Sequence, residues 1–328
     1  MNHVFVIGGT RFIGRHTVIE FLNHDYRVTL YNRDIHANPF AANDAVSHIE
    51  GDRTDEDALR NAAQIADPDI VVDCIAYQPQ SVAVATDIFE AVDAYVYVSS
   101  GSAYAEPAIP QREGETALAP CSDEQATDES MASYGARKGE GDREVFAATE
   151  RGVNAMAIRP FLVYGSHDYT ERTDYWIDRV MNGDNRVLVP GDGDSLLHRA
   201  YVEDVASAIR IIAELGTPGE AYNVGDRQLL TLESSLSWMA EALDTELEIV
   251  HASARELGEF DLEPTDFPLY TPVPFVGSTD KLAALGWEST PISETIRRTV
   301  ADHLDSDRTG REIGPDPGKI ERFLQAVA

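Results

Sequence analysis

The chain has 328 residues, 43% of them hydrophobic and 25% charged, which is enough to bury a full core as one large domain or two intimate ones. Fifty-seven Asp and Glu against 26 Lys and Arg give a formal net charge of −31, with the acids spread along the whole length. A field of that sign repels phosphate backbones and anionic lipid, so it argues against nucleic acid and membrane surfaces as partners.

Only three basic residues are lysine, Lys138, Lys281 and Lys319; the other 23 are arginine. Acid-rich, lysine-poor composition is similar to that of cytoplasmic proteins of salt-loving organisms, whose carboxylates hold water in concentrated salt. Two cysteines, Cys74 and Cys121, make no disulfide framework and stand in no metal-ligand spacing, which fits a reducing cytoplasm and predicts no metal site. The first residues lead into a strand-like run without a basic segment and long apolar stretch, so no signal peptide is expected. No apolar run reaches the roughly eighteen residues of a membrane span.

In chain order, Val4 to Ile7, Val28 to Tyr31, Ile70 to Ile75, Tyr95 to Val98 and Ala155 to Ile158 are short apolar runs rich in β-branched and aromatic residues. They read as strands buried on both faces. Between them, residues 54–57 precede an alanine-rich segment as a capped helix start, and Ser81 to Val92 carries helical spacing. Strand and helix alternating over the first 160 or so residues predict an α/β fold of Rossmann type, a doubly wound parallel sheet covered by helices. Past Pro160 the rhythm weakens, and Gly191 to Asp194 and Asp261 to Pro274 read as loops. The expected division is a nucleotide-binding domain over 1–165, with segments near 198–225 returning to it, and a smaller C-terminal substrate-binding region over 166–328.

The first strand runs directly into Gly8, Gly9, Thr10, Arg11, Phe12, Ile13 and Gly14. Glycines at a strand-to-helix turn let the backbone approach a pyrophosphate, and the helix start offers N–H groups and a partial positive charge. After the second strand, an acid would accept the 2′-hydroxyl of NAD, whereas arginine would receive the 2′-phosphate of NADP. The run there is Tyr31-Asn-Arg-Asp34, and Arg33 together with Arg11 favours NADP. Asp52, where the third strand closes, is a candidate partner for the adenine amino group.

Tyr134 and Lys138 stand four apart, on one face of a helix. A phenol is a poor base at neutral pH, but an adjacent ammonium stabilises its phenolate. Tyr134 then becomes a candidate to exchange a proton with a substrate hydroxyl while hydride moves to or from nicotinamide, and a compact ammonium also suits a ribose hydroxyl. Ser99, Ser100 and Ser102 follow the fifth strand at the carboxyl edge of the sheet, where doubly wound folds bind ligands, and any of them could hold the reacting oxygen.

The order of glycine loop, strand-end Ser-Ser, Tyr-x-x-x-Lys and Arg159-Pro-Phe-Leu-Val-Tyr-Gly165 resembles the extended short-chain dehydrogenase/reductase superfamily, which includes nucleotide-sugar epimerases and dehydratases. Tyr201 to Ala206, Tyr222 to Gly225 and Ser278 to Trp287 are similar to its later landmarks. The resemblance implies catalytic Ser100, Tyr134 and Lys138, NAD(P) held by the glycine loop and Lys138, and a homodimer packed through two helices per subunit. Arg11 stands where most members carry another glycine, a variant similar to a subgroup that includes chloroplast stem-loop RNA-binding proteins. Leu197 stands where nucleotide-sugar enzymes place a diphosphate-gripping arginine, with Arg199 two residues on. Gly101 and Ser102 follow Ser100 where 4,6-dehydratases carry Asp-Glu after their threonine, which argues against dehydration. The expected function is an NAD(P)-dependent epimerase or oxidoreductase acting on a hydroxyl of a sugar or nucleotide sugar. The alternative is a dinucleotide-binding, RNA-associated or regulatory protein with vestigial catalysis.

Overall fold

The computed structural model describes residues 2–183 and 185–327. In chain order the strands are β1 (His3–Ile7), β2 (Arg27–Asn32), β3 (Val46–Glu50), β4 (Ile70–Asp73), β5 (Ala94–Val98), β6 (Ala155–Pro160), β7 (Leu162–Tyr164), β8 (Arg186–Pro190), β9 (Arg199–Tyr201), β10 (Ala221–Val224) and β11 (Glu248–Ala252). The helices are α1 (Phe12–Asn23), α2 (Glu56–Ala66), α3 (Pro79–Ile88), α4 (Asp123–Thr127), α5 (Tyr134–Glu150), α6 (Arg172–Asn182), α7 (Val202–Leu215), α8 (Leu232–Ala242), α9 (Ala254–Gly258), α10 (Asp280–Ala283), α11 (Ile292–Leu304) and α12 (Pro317–Ala326).

The chain divides into two compact units. The first comprises residues up to Val163, Ala200–Gly225 and Gly277–Ser289. Its centre is a parallel sheet, seven-stranded among the described residues, in the order β10-β6-β5-β4-β1-β2-β3. This is the doubly wound α/β arrangement that the alternation of strand and helix predicts. Side chains alternate across each strand: Val4 and Val6 enter one core layer, and Phe5 and Ile7 the other. The first layer packs beneath α1 and α7 with Val18, Phe21, Val205 and Ile209, and the second beneath α2, α3 and α5 with Leu59, Val82 and Val145. Each such side chain contributes roughly 2 kcal/mol by leaving water. The runs are continuous and apolar because both faces are covered. Ile7 pairs in register with Tyr31 on one side and Asp73 on the other, so the strand order reverses beside β1, and β1, β2 and β4 end together at a topological switch point.

Two helix boundaries differ from expectation. Asp55 caps α2, its carboxylate accepting from the Ala58 N–H at 3.0 Å. The helix expected over 81–92 starts at Pro79, whose fixed φ suits a first helical position, and ends at Ile88 because the chain must turn before entering β5.

The second unit comprises Tyr164–Arg199, Asp226–Val276 and the residues from Thr290 onward. It holds the parallel pair β8 and β11, with Val187 beside Ile249, and packs α6, α8 and α11 on one another. Trp176 on α6 is fully buried, donates its Nε1–H to the Pro268 carbonyl at 2.8 Å and stacks on Phe267. No helix among the described residues is long and apolar enough to cross a membrane.

Candidate active site

All residues that the sequence marks for cofactor or catalysis lie in the first unit. After β1 the chain turns through Gly8 and Gly9, whose φ angles are +109° and +95°. A Cβ on Gly9 would stand 2.6 Å from Leu30 Cδ2, and one on Gly14 would stand 2.7 Å from the Gly9 backbone nitrogen. Loop and helix therefore touch backbone to backbone, an approach that only glycine allows. The start of α1 has no side-chain cap and no acid in its first turn. Its leading N–H groups thus keep their partial positive charge, and the cradle fits the pyrophosphate of a dinucleotide.

Around the expected ribose, Asn32 donates to the Gly8 carbonyl at 3.2 Å and fixes the end of β2 against the loop. Arg33 is largely exposed, with Nη1 3.8 Å from Asp52 Oδ2. Arg11 Nη1 lies 3.3 Å from His36 Nε2, a neighbour that the sequence reading does not include. Asp52 accepts from the backbone and hydroxyl of Thr54 at 2.9 and 2.8 Å, and these bonds hold its carboxyl below the ordinary carboxylate value.

At the end of β4, Asp73 is wholly buried and takes Arg53 at 3.0 Å and the Tyr95 hydroxyl at 3.0 Å. This buried pair sits at the start of the loop that carries Ala76 and Tyr77. At the end of β5, the Ser100 hydroxyl accepts from the Ser102 N–H at 3.1 Å, and Ser99 is buried one residue before it. Helix α5 lies directly against the turn that follows Ser100. A Cβ on Gly135 would collide with the Ser102 carbonyl, and one on Gly139 would stand 3.1 Å from the Ala103 carbonyl. The two glycines, four apart, are the device that brings Tyr134 onto the serine turn. The spacing is visible in the sequence, but its purpose depends on which turn it meets.

Lys138 is 2% exposed. Its ammonium donates to the Ala76 carbonyl at 2.9 Å and the Val98 carbonyl at 2.8 Å, so it stitches the loop after β4 to the end of β5. Three tyrosine rings surround it, Tyr97 at 4.8 Å, Tyr77 at 5.2 Å and Tyr134 at 5.9 Å from Nζ to ring centre. Burial pulls the ammonium down to about 8, against the opposing pull of Asp73 and Asp142. Burial also drives the Tyr97 phenol well above its ordinary value, aided by the Asp142 charge, so Tyr97 stays neutral. Tyr134 is half-buried.

One turn further along α5, Asp142 takes the Arg159 Nε–H at 2.7 Å with both side chains buried. Arg159 also donates to the Tyr104 hydroxyl at 2.9 Å, which donates to Asn223 Oδ1 at 2.8 Å. This chain crosses from α5 through β6 to β10 and holds the landmark residues Arg159 and Asn223 in one network. The sequence marks the landmarks and not their connection.

A family model described as "NAD dependent epimerase/dehydratase family" matches residues 4–225, which contain the glycine loop, the serine turn and the Tyr134–Lys138 pair. The chain belongs to the NAD-dependent epimerase/dehydratase family. Among curated relatives, "Chloroplast stem-loop binding protein of 41 kDa b" of Arabidopsis thaliana is 25% identical over 302 residues, covering 87% of this chain and 74% of that protein. The dTDP-D-glucose 4,6-dehydratase of Mus musculus is 22% identical, over 91% of this chain and 88% of that one. Among solved structures, the Bacillus anthracis dTDP-glucose 4,6-dehydratase in complex with NAD superposes with a TM-score of 0.75 at 17% identity, covering 95% and 100% of the two chains. The Thermotoga maritima UDP-glucose 4-epimerase with UDP-glucose gives 0.70 at 20%, covering 92% and 99%. These likenesses show that this family member shares the α/β fold of those two enzymes.

Proposed function

We propose that this family member is an NAD(P)-dependent epimerase or oxidoreductase acting on a hydroxyl of a sugar or nucleotide sugar. The observation that carries the reading is the Lys138 ammonium, buried beside Tyr134 with carbonyl oxygens for partners in a chain that uses lysine only three times. Ser100 and Tyr134 bind the substrate oxygen. Tyr134 takes or returns its proton, and the neighbouring ammonium lowers the free energy of the phenolate. Gly8, Gly9, Thr10, Arg11, Phe12, Ile13 and Gly14 form the pyrophosphate cradle. Arg33 and Arg11 receive the 2′-phosphate of NADP, Asp52 the adenine amino group, and Lys138 a ribose hydroxyl. When bound, the nicotinamide supplies the hydride acceptor or donor.

One comparison supports a nucleotide sugar over a free sugar. The named neighbours act on, or bind, UDP- and dTDP-sugars. Gly101 and Ser102 after Ser100 argue against dehydration, despite the likeness to 4,6-dehydratases. A charge of −31 argues against the stem-loop RNA role that the Arabidopsis relative's name suggests.

Two assays test the reading. Mass spectrometry of gently denatured protein should release a dinucleotide bearing the extra phosphate; NAD alone would remove the NADP preference. A panel of UDP- and dTDP-sugars against free sugars in salt-rich buffer should show turnover of a nucleotide sugar. Tight binding of a stem-loop RNA in high salt, with no turnover, would overturn the enzyme reading.

A further inference from the structure

The first turn of α5 carries Tyr134 as its leading residue, yet the helix lacks an ordinary cap. Ser133 stands at the N-cap position, but its hydroxyl donates back to the Ser130 carbonyl at 3.3 Å and bonds none of the free helical N–H groups. A 3-10 turn over Met131–Ser133 leads into the helix and takes the Tyr134 N–H on the Met131 carbonyl, but no side chain caps the N–H groups that follow.

Arg137 supplies the missing restraint. Its Nε donates to the Ser133 hydroxyl at 3.0 Å, Nη2 to the Ser130 carbonyl at 2.8 Å and Nη1 to the Tyr77 carbonyl at 3.0 Å, and the residue is 3% exposed. Two of these bonds bind the approach to Tyr134. The third reaches the loop after β4, where the neighbouring residue Lys138 holds the Ala76 carbonyl. Successive cations of α5 thus grip successive carbonyls of that loop. Arg137 makes no direct ion pair among the described residues; the Asp128 carboxylate bonds the Ser130 and Ser133 hydroxyls and so stands one hydrogen bond away from the guanidinium. A group needed only to fill volume would be apolar, because burying a guanidinium is unfavourable.

We propose that Arg137 is a positioning residue for the proton-transfer step. It fixes Tyr134 at the start of α5 at a set distance from Lys138, and its charge adds to that of Lys138 in favouring the phenolate. The inference rests on Tyr134 as the acid–base group. Lys138 lies 5.9 Å from the Tyr134 ring centre and also meets the Tyr97 and Tyr77 rings, Tyr97 feels the charge of Tyr134, Asp73, Arg53 and Asp142 act through Lys138, and Asp128 reaches Arg137 through Ser133.

The test needs no substrate. The ultraviolet difference between wild type and Tyr134→Phe along a pH titration isolates the ionisation of Tyr134. The same difference is then taken in Arg137→Ser and Arg137→Lys backgrounds, with NAD+ and NADP+ titrations to show that the glycine-loop site is intact. The midpoint should rise by about one unit in Arg137→Ser, fall back by half or more of that in Arg137→Lys, and leave dinucleotide affinity within about threefold. A midpoint unmoved in Arg137→Ser overturns the inference, and so does an equal rise in the Ser and Lys variants. Should Arg137→Ser lose dinucleotide binding, Arg137→Gln, which keeps part of the length and one donor nitrogen without the charge, is read by the same criteria. If the wild-type midpoint is already that of a free phenol, about 10, the Tyr134–Lys138 reading fails before Arg137 enters.

Discussion

Helix α6 and the stretch of α5 that carries Arg137 and Lys138 both bury charge and answer it in opposite ways, although further along α5 the Asp142–Arg159 pair is matched. On α6, Asp174 meets His303 at 2.7 Å and Arg308 at 3.3 Å, and Asp178 meets Arg179 and Arg311, each at 2.9 Å. Hydrogen bonds from Arg311 and Arg179 hold the Asp178 carboxyl below its ordinary value even though burial pushes it up. On α5, Arg137 and Lys138 meet carbonyl oxygens and a hydroxyl. With 57 acids against 26 bases, a carboxylate is the partner nearest to hand almost anywhere in this chain. The contrast teaches that charge is matched by carboxylates where it holds the second unit together, and left to carbonyl and hydroxyl oxygens beside the tyrosine that we propose as the acid–base group.

The largest effect should come from unmatching α6. Asp174→Ala leaves His303 and Arg308 side by side in a buried place, and breaking a buried pair costs roughly 3–5 kcal/mol, read as a lowered urea midpoint of the second unit. A loss under about 1 kcal/mol would rank the cluster with surface pairs and erase the contrast.

Lys138→Met should show the reverse. Below pH 8 the proton is on Lys138 in both folded and unfolded chains, and the folded state bears the full disadvantage of the buried charge, about 3 kcal/mol. Between about 8 and the ordinary value of 10.5 only the folded chain gives the proton up, so the stability due to Lys138 rises with pH. Wild type should therefore gain on Lys138→Met across that window in urea titrations, and a flat difference would contradict a buried ammonium.

Arg33 is a cation held loosely, 3.8 Å from Asp52 with both side chains substantially exposed. Arg33→Ser should weaken NADP+ binding about tenfold, or 1.4 kcal/mol, and leave NAD+ nearly unchanged. Equal losses for both would show that Arg33 does not read the 2′-phosphate. Arg311 is half exposed, so Arg311→Ala should lower the urea midpoint least of these changes, and the loss should shrink further in concentrated salt.

The first-unit sheet was legible because strands covered on both faces must be continuous apolar runs, and β1, β2, β4, β5 and β6 are such runs. The glycine loop was legible because its residues are neighbours in sequence, as were Tyr134 and Lys138 through the pitch of a helix. What could not be read depends on partners far along the chain. Arg137 gains its meaning from Tyr77, sixty residues away. Gly135 and Gly139 gain theirs from the carbonyls of Ser102 and Ala103, and Arg53 from Asp73. Residues 277–289 pack into the first unit through Leu282 and Trp287, which the weakened rhythm of the second half does not announce.

The central claim is that Tyr134 moves a proton while the glycine loop holds the dinucleotide. Wild type and Tyr134→Phe, each loaded with NADP+ or NAD+, should be mixed in parallel with UDP-glucose and dTDP-glucose in salt-rich buffer, with nicotinamide absorbance and product chromatography recorded together. Wild type should convert a nucleotide sugar, and Tyr134→Phe should bind the dinucleotide equally well while converting the sugar at least about a hundredfold more slowly. Equal conversion by the two proteins would contradict the account.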